Sequence, residues 1–549
     1  MYFRRTPRPT RSPRPPRALR AVRSLRTARA TRTGGVLLAA AALFVSACSS
    51  GNSTTAKATA TSTADAALPA LPRSTPSALA PYYGQKLSWR SCGVPGFECA
   101  TMKAPLDYAK PASGDIRLAV ARKKATGPGK RLGSLMVNPG GPGGSAVGYL
   151  QQYAGLGYPA EVRARYDMVA MDPRGVARSE PVECLTGRQM DTYTQTDTTP
   201  DDKKETGQLV DAYKKFAEGC GQRSPELLRH VSTVEAARDM DILRAVLGDQ
   251  KLTYVGASYG TFLGATYAGL FPDRVGRLVL DGAMDPSLSA RNLNKDQTAG
   301  FETAFQSFAK DCVRQSDCPL GGPGTSTEQV GKNLKAFFQQ LDRAPIPTGD
   351  ADGRKLGEAL ATTGVIAAMY DESSWQQLRE ALTAAMKEKD GAGLLALADS
   401  YYERDADGRY ANLMYANAAV NCLDLPAAFS TPDQVEKALP AFEKASPVFG
   451  EGLAWASLNC AYWPVRPTGE PHHIEAKGAA PILVVGTTRD PATPYPWAQS
   501  LASQLSSATL LTYVGDGHTA YGRGSDCIDS AINRYLLQGT LPPKGKRCS

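Results

Sequence analysis

The chain has 549 residues, 42% of them hydrophobic and 21% charged, which is long enough for more than one core. Its formal charge of +10 belongs to one end: residues 1–47 hold eleven arginines and no acid, so the rest carries +10 − 11 = −1. A basic surface suited to nucleic acid is therefore not implied for the folded part, and no nucleic-acid partner is expected.

The basic opening leads into an apolar run, residues 34–47, too short and one-sided for an ordinary spanning helix; it reads as an export signal. Val45-Ser46-Ala47-Cys48 resembles a bacterial lipobox, so Cys48 is the expected lipidation site and the membrane anchor on the outer face of the cell. Residues 48–80, rich in Ser, Thr, Ala and Pro, cannot repay their ordering entropy and are expected to form a flexible tether. Ten further cysteines are an even number in an exported chain, which points to disulfides. Joining sequence neighbours is the simplest pairing: Cys92–Cys99, Cys184–Cys220, Cys312–Cys318, Cys422–Cys460 and Cys527–Cys548. No Cys/His cluster has zinc-site spacing, and no metal or other cofactor is expected.

From residue 81 the chain alternates strand and helix. Residues 98–121 read as antiparallel strands. Residues 133–137 and 166–171 read as short strands that end in Asn138-Pro-Gly-Gly-Pro-Gly-Gly-Ser145 and Asp172-Pro-Arg-Gly-Val-Ala-Arg-Ser179. A helix is expected over 200–220, and a second begins at a capping box, Ser232-Thr-Val-Glu235. Leu252–Val255 and Gly276–Asp281 are buried strands. The rhythm then breaks into helical patterns at 298–311, 325–342, 354–370, 373–389 and 430–445. It resumes with strands at 480–486 and 508–514 around a helix at 496–505. The expected fold is α/β, with a mostly parallel sheet interrupted by an inserted cap. Residues 81–284 and 466–549 form the core and 285–465 the helical cap.

The chemistry centres on Gly256-Ala-Ser-Tyr-Gly260. A strand runs into it and a small, apolar helix leaves it, the setting in which G-x-S-x-G forces a serine into a strained, exposed turn. Ser258 is the candidate nucleophile, and the Tyr259 amide can face the oxygen of a tetrahedral intermediate. A second amide is expected from the 138–144 loop, at Gly140 or Gly141; the sequence leaves both open. Asp490, just after one strand, and His518, just after another, complete a Ser…Asp…His order. Asp172, Arg174 and Arg178 are expected to brace this wall through ion pairs. His472-His473 reads as a solvated pair.

These motifs, with Asn421-Cys-Leu-Asp424, Gly486-Thr-Thr-Arg-Asp-Pro-Ala-Thr-Pro494 and Gly515-Asp-Gly-His-Thr519, resemble the secreted tripeptidyl aminopeptidases of actinobacteria. Those enzymes are α/β-hydrolase serine peptidases related to proline iminopeptidase. Proline iminopeptidases begin the glycine loop with His where this chain has Asn138-Pro139, which favours the tripeptidyl branch. The resemblance implies an α/β-hydrolase fold and release of short N-terminal pieces, often tripeptides, from peptides with a free amino end. It maps nucleophile, acid and base onto Ser258, Asp490 and His518. An anionic cap residue should meet the substrate ammonium; Asp424 and Glu403 are the candidates, with Trp375, Tyr401, Tyr402 and Tyr410 as candidate subsite walls. Two alternatives stay open: a lipid-anchored carboxylesterase or lipase of the same fold, and a non-catalytic substrate-binding lipoprotein. Oligomeric state is not legible.

Overall fold

The computed structural model describes residues 67–549; the export signal, Cys48 and the first part of the tether lie outside the described residues. Within these residues a ten-stranded sheet forms the spine. Its strands are β1 (Arg90–Ser91), β2 (Glu98–Pro105), β3 (Asp115–Lys123), β4 (Gly133–Asn138), β5 (Tyr166–Met171), β6 (Leu252–Ala257) and β7 (Val275–Asp281). A small pair in the inserted region, β8 (Ile346–Pro347) and β9 (Lys355–Leu356), stands apart. The sheet is completed by β10 (Ile482–Arg489), β11 (Ala508–Asp516) and β12 (Arg547–Cys548). The order is β1-β2-β3-β5-β4-β6-β7-β10-β11-β12, antiparallel through β3–β5 and parallel from β5 onward. This is the α/β-hydrolase arrangement of a mostly parallel sheet carrying a helical insertion.

The central strands read as unbroken apolar runs because both of their faces are covered. Tyr254, Leu278, Leu280 and Val484 point into one core, and Val255, Val279, Leu483 and Val485 into the other. The helices Thr233–Val246 and Tyr259–Leu270 cover the first face, and Asp526–Gln538 the second. The inserted helices bury a core of their own around Phe301, Phe305, Phe308, Phe337 and Phe338. Leu209 and Tyr213, on the helix Lys203–Arg223, pack with Phe429, Phe442 and Trp455 in a fourth cluster. Disulfides join Cys92–Cys99, Cys184–Cys220, Cys312–Cys318, Cys422–Cys460 and Cys527–Cys548.

Several local expectations change in the structure. The helix expected from 298 begins at Ala290, capped by the Ser289 side chain, because its first turns are polar and carry little apolar period. The 430–445 pattern is two short helices, Pro432–Glu436 and Leu439–Ala445, each with a proline in its opening turn. At Ser232 only half a capping box forms. Ser232 Oγ accepts from the Glu235 amide, but the Glu235 carboxylate faces His230 Nδ1 at 3.3 Å and Arg174 at 3.4 Å. The reciprocal box is at Thr186 and Gln189. No helix among the described residues is long and apolar enough to cross a membrane.

Candidate active site

Ser258 sits between the last residue of β6 and the first of the helix Tyr259–Leu270, at φ 56° and ψ −127°, a conformation unfavourable for a side-chain-bearing residue. Two glycines make the turn sterically feasible. A Cβ at Gly256 would come within 2.3 Å of the Gly260 carbonyl oxygen, and one at Gly260 within 2.9 Å of the Asn138 carbonyl oxygen. The turn is then pinned by hydrogen bonds. The Ser258 amide donates to the Asp281 carbonyl at 2.9 Å, Thr261 Oγ1 to the Ser258 carbonyl at 2.6 Å, and the Tyr254 hydroxyl to the Gly260 carbonyl at 2.7 Å.

Asp490 and His518 come together from neighbouring strand ends. His518 Nδ1 lies 2.8 and 3.0 Å from the two Asp490 oxygens. Asp490 also accepts from the amides of Ala492, Thr493 and Thr519, which fix the orientation of its carboxylate. One residue before it, Arg489 pairs with Asp516, two residues before the histidine, at 2.8 and 2.6 Å, locking the two strand ends in register. Ser258, Asp490 and His518 are 0%, 2% and 4% exposed. Ser258 Oγ and His518 Nε2 are both buried, and each lacks a hydrogen-bond partner among the described residues.

The glycine loop packs directly on the serine turn. A Cβ at Gly140 would stand 2.4 Å from the Ala257 carbonyl oxygen and 2.9 Å from the Tyr259 nitrogen. The Gly140 amide donates to Asn138 Oδ1 at 2.8 Å. On its far side the loop meets the helix Leu413–Asp424, where a Cβ at Gly143 would be 2.4 Å from the Leu413 carbonyl oxygen. Asn417 Nδ2 donates to the Pro142 carbonyl at 3.0 Å. Asn138, Asn417, Asp281 and Arg489 were not read as site residues. Only Asn138 carries a local signal: an Asn before Pro-Gly marks a turn in which its side chain accepts an amide two residues on.

Of the expected bracing residues, Asp172 accepts from Ser145 Oγ, the Val147 amide and the Arg178 amide. Arg174 instead points away into a buried two-pronged pair with Asp239, at 2.7 and 2.8 Å. A small cavity of about 30 Å³ lies beside Tyr259, lined by Gly141, Pro142, Asp285, Gln297, Asn421 and Asp424 among others. Asp424 accepts from the Thr233 amide and hydroxyl, and Thr233 Oγ1 in turn meets the Tyr259 hydroxyl. Burial pushes the Asp424 carboxyl up to about 7 although the Thr233 bonds favour its charge. Glu403 lies outside this lining, and burial raises its carboxyl. Tyr401 and Tyr402 line a separate cavity of about 120 Å³ within the helical layer. Trp375 packs on Phe308, and the Tyr410 hydroxyl donates to Asp191. His472 is half-buried near Phe262, and the His473 backbone pairs with Ala67.

The comparisons with known proteins agree with this geometry. Residues 446–548 match the family model described as TAP-like protein. The chain is 38% identical over 486 residues to the serine protease Hip1 of Mycobacterium tuberculosis, covering 85% of this chain and 92% of that one. The chain belongs to the TAP-like α/β-hydrolase family. It is a serine hydrolase. Carboxylesterase B of the same species is 39% identical over 486 residues (86% and 91% covered). A tripeptidyl aminopeptidase of Streptomyces coelicolor is 32% identical over 484 residues (84% and 86% covered). Family membership therefore fixes the catalytic class, while its relatives carry names of both peptidases and an esterase.

Proposed function

We propose that this TAP-like hydrolase is an exopeptidase that releases short N-terminal peptides, tripeptides among them, from peptides with a free amino terminus. Ser258 is the nucleophile, His518 the general base and Asp490 the carboxylate that orients the imidazole and stabilises its charged form. Ser258 Oγ attacks the scissile carbonyl as His518 Nε2 takes its proton and then delivers it to the leaving amine. Water activated by the same histidine hydrolyses the acyl-enzyme. The oxyanion is held by the amides of Tyr259 and Gly141. The Tyr259 amide stands in the first helical turn, where amides lack an intrahelical acceptor. Gly141 is favoured over Gly140 because the Gly140 amide is already given to Asn138.

The observation that carries the peptidase reading is the wall of the cavity beside Tyr259. It presents Asp424, Asp285 and the buried Gln297 Oε1, which has no donor among the described residues, and no Lys, Arg or His of the described residues lines it. Such acceptors suit an ammonium group, beside the apolar side chains of Phe262, Met284, Leu288 and Leu293 in the same wall. Asp424 is the favoured amine partner, with Asp285 beside it. The same reading places the protein outside the cytoplasm, exported by residues 1–47 and held to the membrane through Cys48. Five disulfides support an oxidising destination.

The test is a matched chromogenic panel: Ala-Ala-Pro, Pro and Ala amides, each with a free and an acylated amino terminus, beside a short-chain ester, with Ser258→Ala as the blank. The expected result is release from the free tripeptidyl amide, lost on acylation. Ester turnover without amide cleavage would make the protein a carboxylesterase instead.

A further inference from the structure

Asp281 ends β7, the strand between the one that carries Ser258 and the one that leads to Asp490. It is 2% exposed and has no cationic partner at salt-bridge distance among the described residues. Its two ends do different things. The main-chain carbonyl accepts the Ser258 amide at 2.9 Å. The carboxylate reaches across to the loop after the histidine, accepting the Ala520 amide at 3.0 Å on both oxygens and the Tyr521 amide at 2.9 Å. The next residue, Gly282, passes so close to the imidazole that a Cβ there would lie 3.4 Å from His518 Cε1. A carboxylate buried without a cation is costly, and sheet packing alone does not require one here.

We propose that Asp281 is a positioning residue of the site: its ionised carboxylate holds the His518 loop at the level of Ser258, whose amide its own carbonyl fixes. One residue thereby sets the separation between nucleophile and base. The groups that act on it electrostatically are His518, Asp490, Tyr149 and Tyr153. Burial pushes its carboxyl up to about 6, against the two amides and the favourable charge of a protonated His518. The sign follows from that direction. Above about pH 6 Asp281 is ionised and grips the loop; below it the added proton weakens the acceptor and the loop loosens. An ionised Asp281 also adds a second negative charge behind the imidazolium that forms as Ser258 attacks.

The inference rests on Ser258 and His518 acting as nucleophile and base, and on nothing about the acyl substrate. The probe is accordingly diisopropyl fluorophosphate, whose covalent capture of Ser258 needs the same base but no peptide or amine. For the unmodified protein the second-order labelling rate is expected to fall as pH drops through about 6, where Asp281 takes up its proton. Asp281→Asn keeps an oxygen for the two amides and removes the charge. It is expected to slow labelling at pH 8 by about 10- to 100-fold, the scale of an ångström-level misplacement. Its labelling rate should lack the loss through about pH 6 that protonation of Asp281 causes, with no lower melting temperature. A labelling rate of the unmodified protein that does not fall through about pH 6 overturns the proposal, and that reading needs no variant to fold. So does an Asp281→Asn profile that superimposes on the unmodified one, or a rate loss that tracks a lower melting temperature. Failure of the peptide panel with this behaviour intact would sink the exopeptidase reading alone.

Discussion

Ser258 and His518, the proposed nucleophile and base, are mounted differently. The contacts that fix Ser258 come from the sheet, from the first turn of the helix that follows it and from the glycine loop: the Asp281 carbonyl, Thr261, Tyr254 through Gly260, and the close approach of Gly140. His518 has one mount in the sheet and another in the inserted helices. Its amide donates to the Tyr370 carbonyl at 2.8 Å, and the Tyr370 ring meets the imidazole edge-on at 5.5 Å. Arg523 donates to the His518 carbonyl at 3.0 Å and pairs with Asp371 at 3.2 Å. The cavity of about 30 Å³ beside Tyr259 is lined in part by residues of the insertion, Leu288, Leu293 and Asn421 among them. The insertion thus holds His518 directly, through Tyr370 and Asp371, and reaches Ser258 only through the glycine loop, which meets Leu413 and Asn417.

The largest expected effect falls on the link between the two mounts. Asp490→Asn leaves the amides of Ala492 and Thr493 an acceptor but no longer fixes the imidazole tautomer. Its kcat on the cleaved panel substrate is expected to drop on the order of 10⁴-fold, measured by steady-state hydrolysis. On the nucleophile side, Gly260→Ala puts a methyl group 2.9 Å from the Asn138 carbonyl oxygen and 3.0 Å from Asn138 Oδ1. The glycine loop has to retreat, taking the Gly141 amide with it, at a cost of roughly 10²- to 10³-fold in kcat with little change in KM. A large KM increase with kcat preserved would show that the loop holds ground-state substrate instead.

The nucleophile mount was almost fully legible in the sequence, because its contacts lie within a few residues or follow from the strand–turn–helix pattern. Gly256, Gly260 and the strands β6, β7 and β10 announce themselves as small residues at fixed spacing and as runs buried on both faces. Most of the base mount was not. Ala520 and Asp281 are 239 residues apart, and Arg523 and Asp371 meet only once the insertion folds. The helices Ala392–Tyr402 and Leu413–Asp424 were missed for another reason. Much of the first and nearly every position of the second is buried or half-buried, so neither shows the one-sided stripe that marks an amphipathic helix. Asn138 could have decided between Gly140 and Gly141 from the sequence, since Asn-Pro-Gly is an Asx-turn signal that claims the Gly140 amide.

The smallest expected effect is the one that most sharpens the contrast. Arg523→Gln removes the pair with Asp371 and weakens the hold on the His518 carbonyl, while Asp281 still grips the neighbouring amides. A loss of about 10-fold in kcat on the panel amide is expected, since the base is displaced only slightly. That result alone does not say whether the insertion takes part, because Arg523 also bonds within its own loop. Asp371→Asn separates the two. It keeps the side-chain oxygen that accepts the Ser373 amide and removes only the charge facing Arg523. If the inserted helices set the base as well as covering it, Asp371→Asn slows kcat by a similar factor and the double variant adds little to either single one, as expected for two groups acting through one contact. If Asp371→Asn is silent, Arg523 serves the histidine loop alone, and the insertion touches the base only through Tyr370.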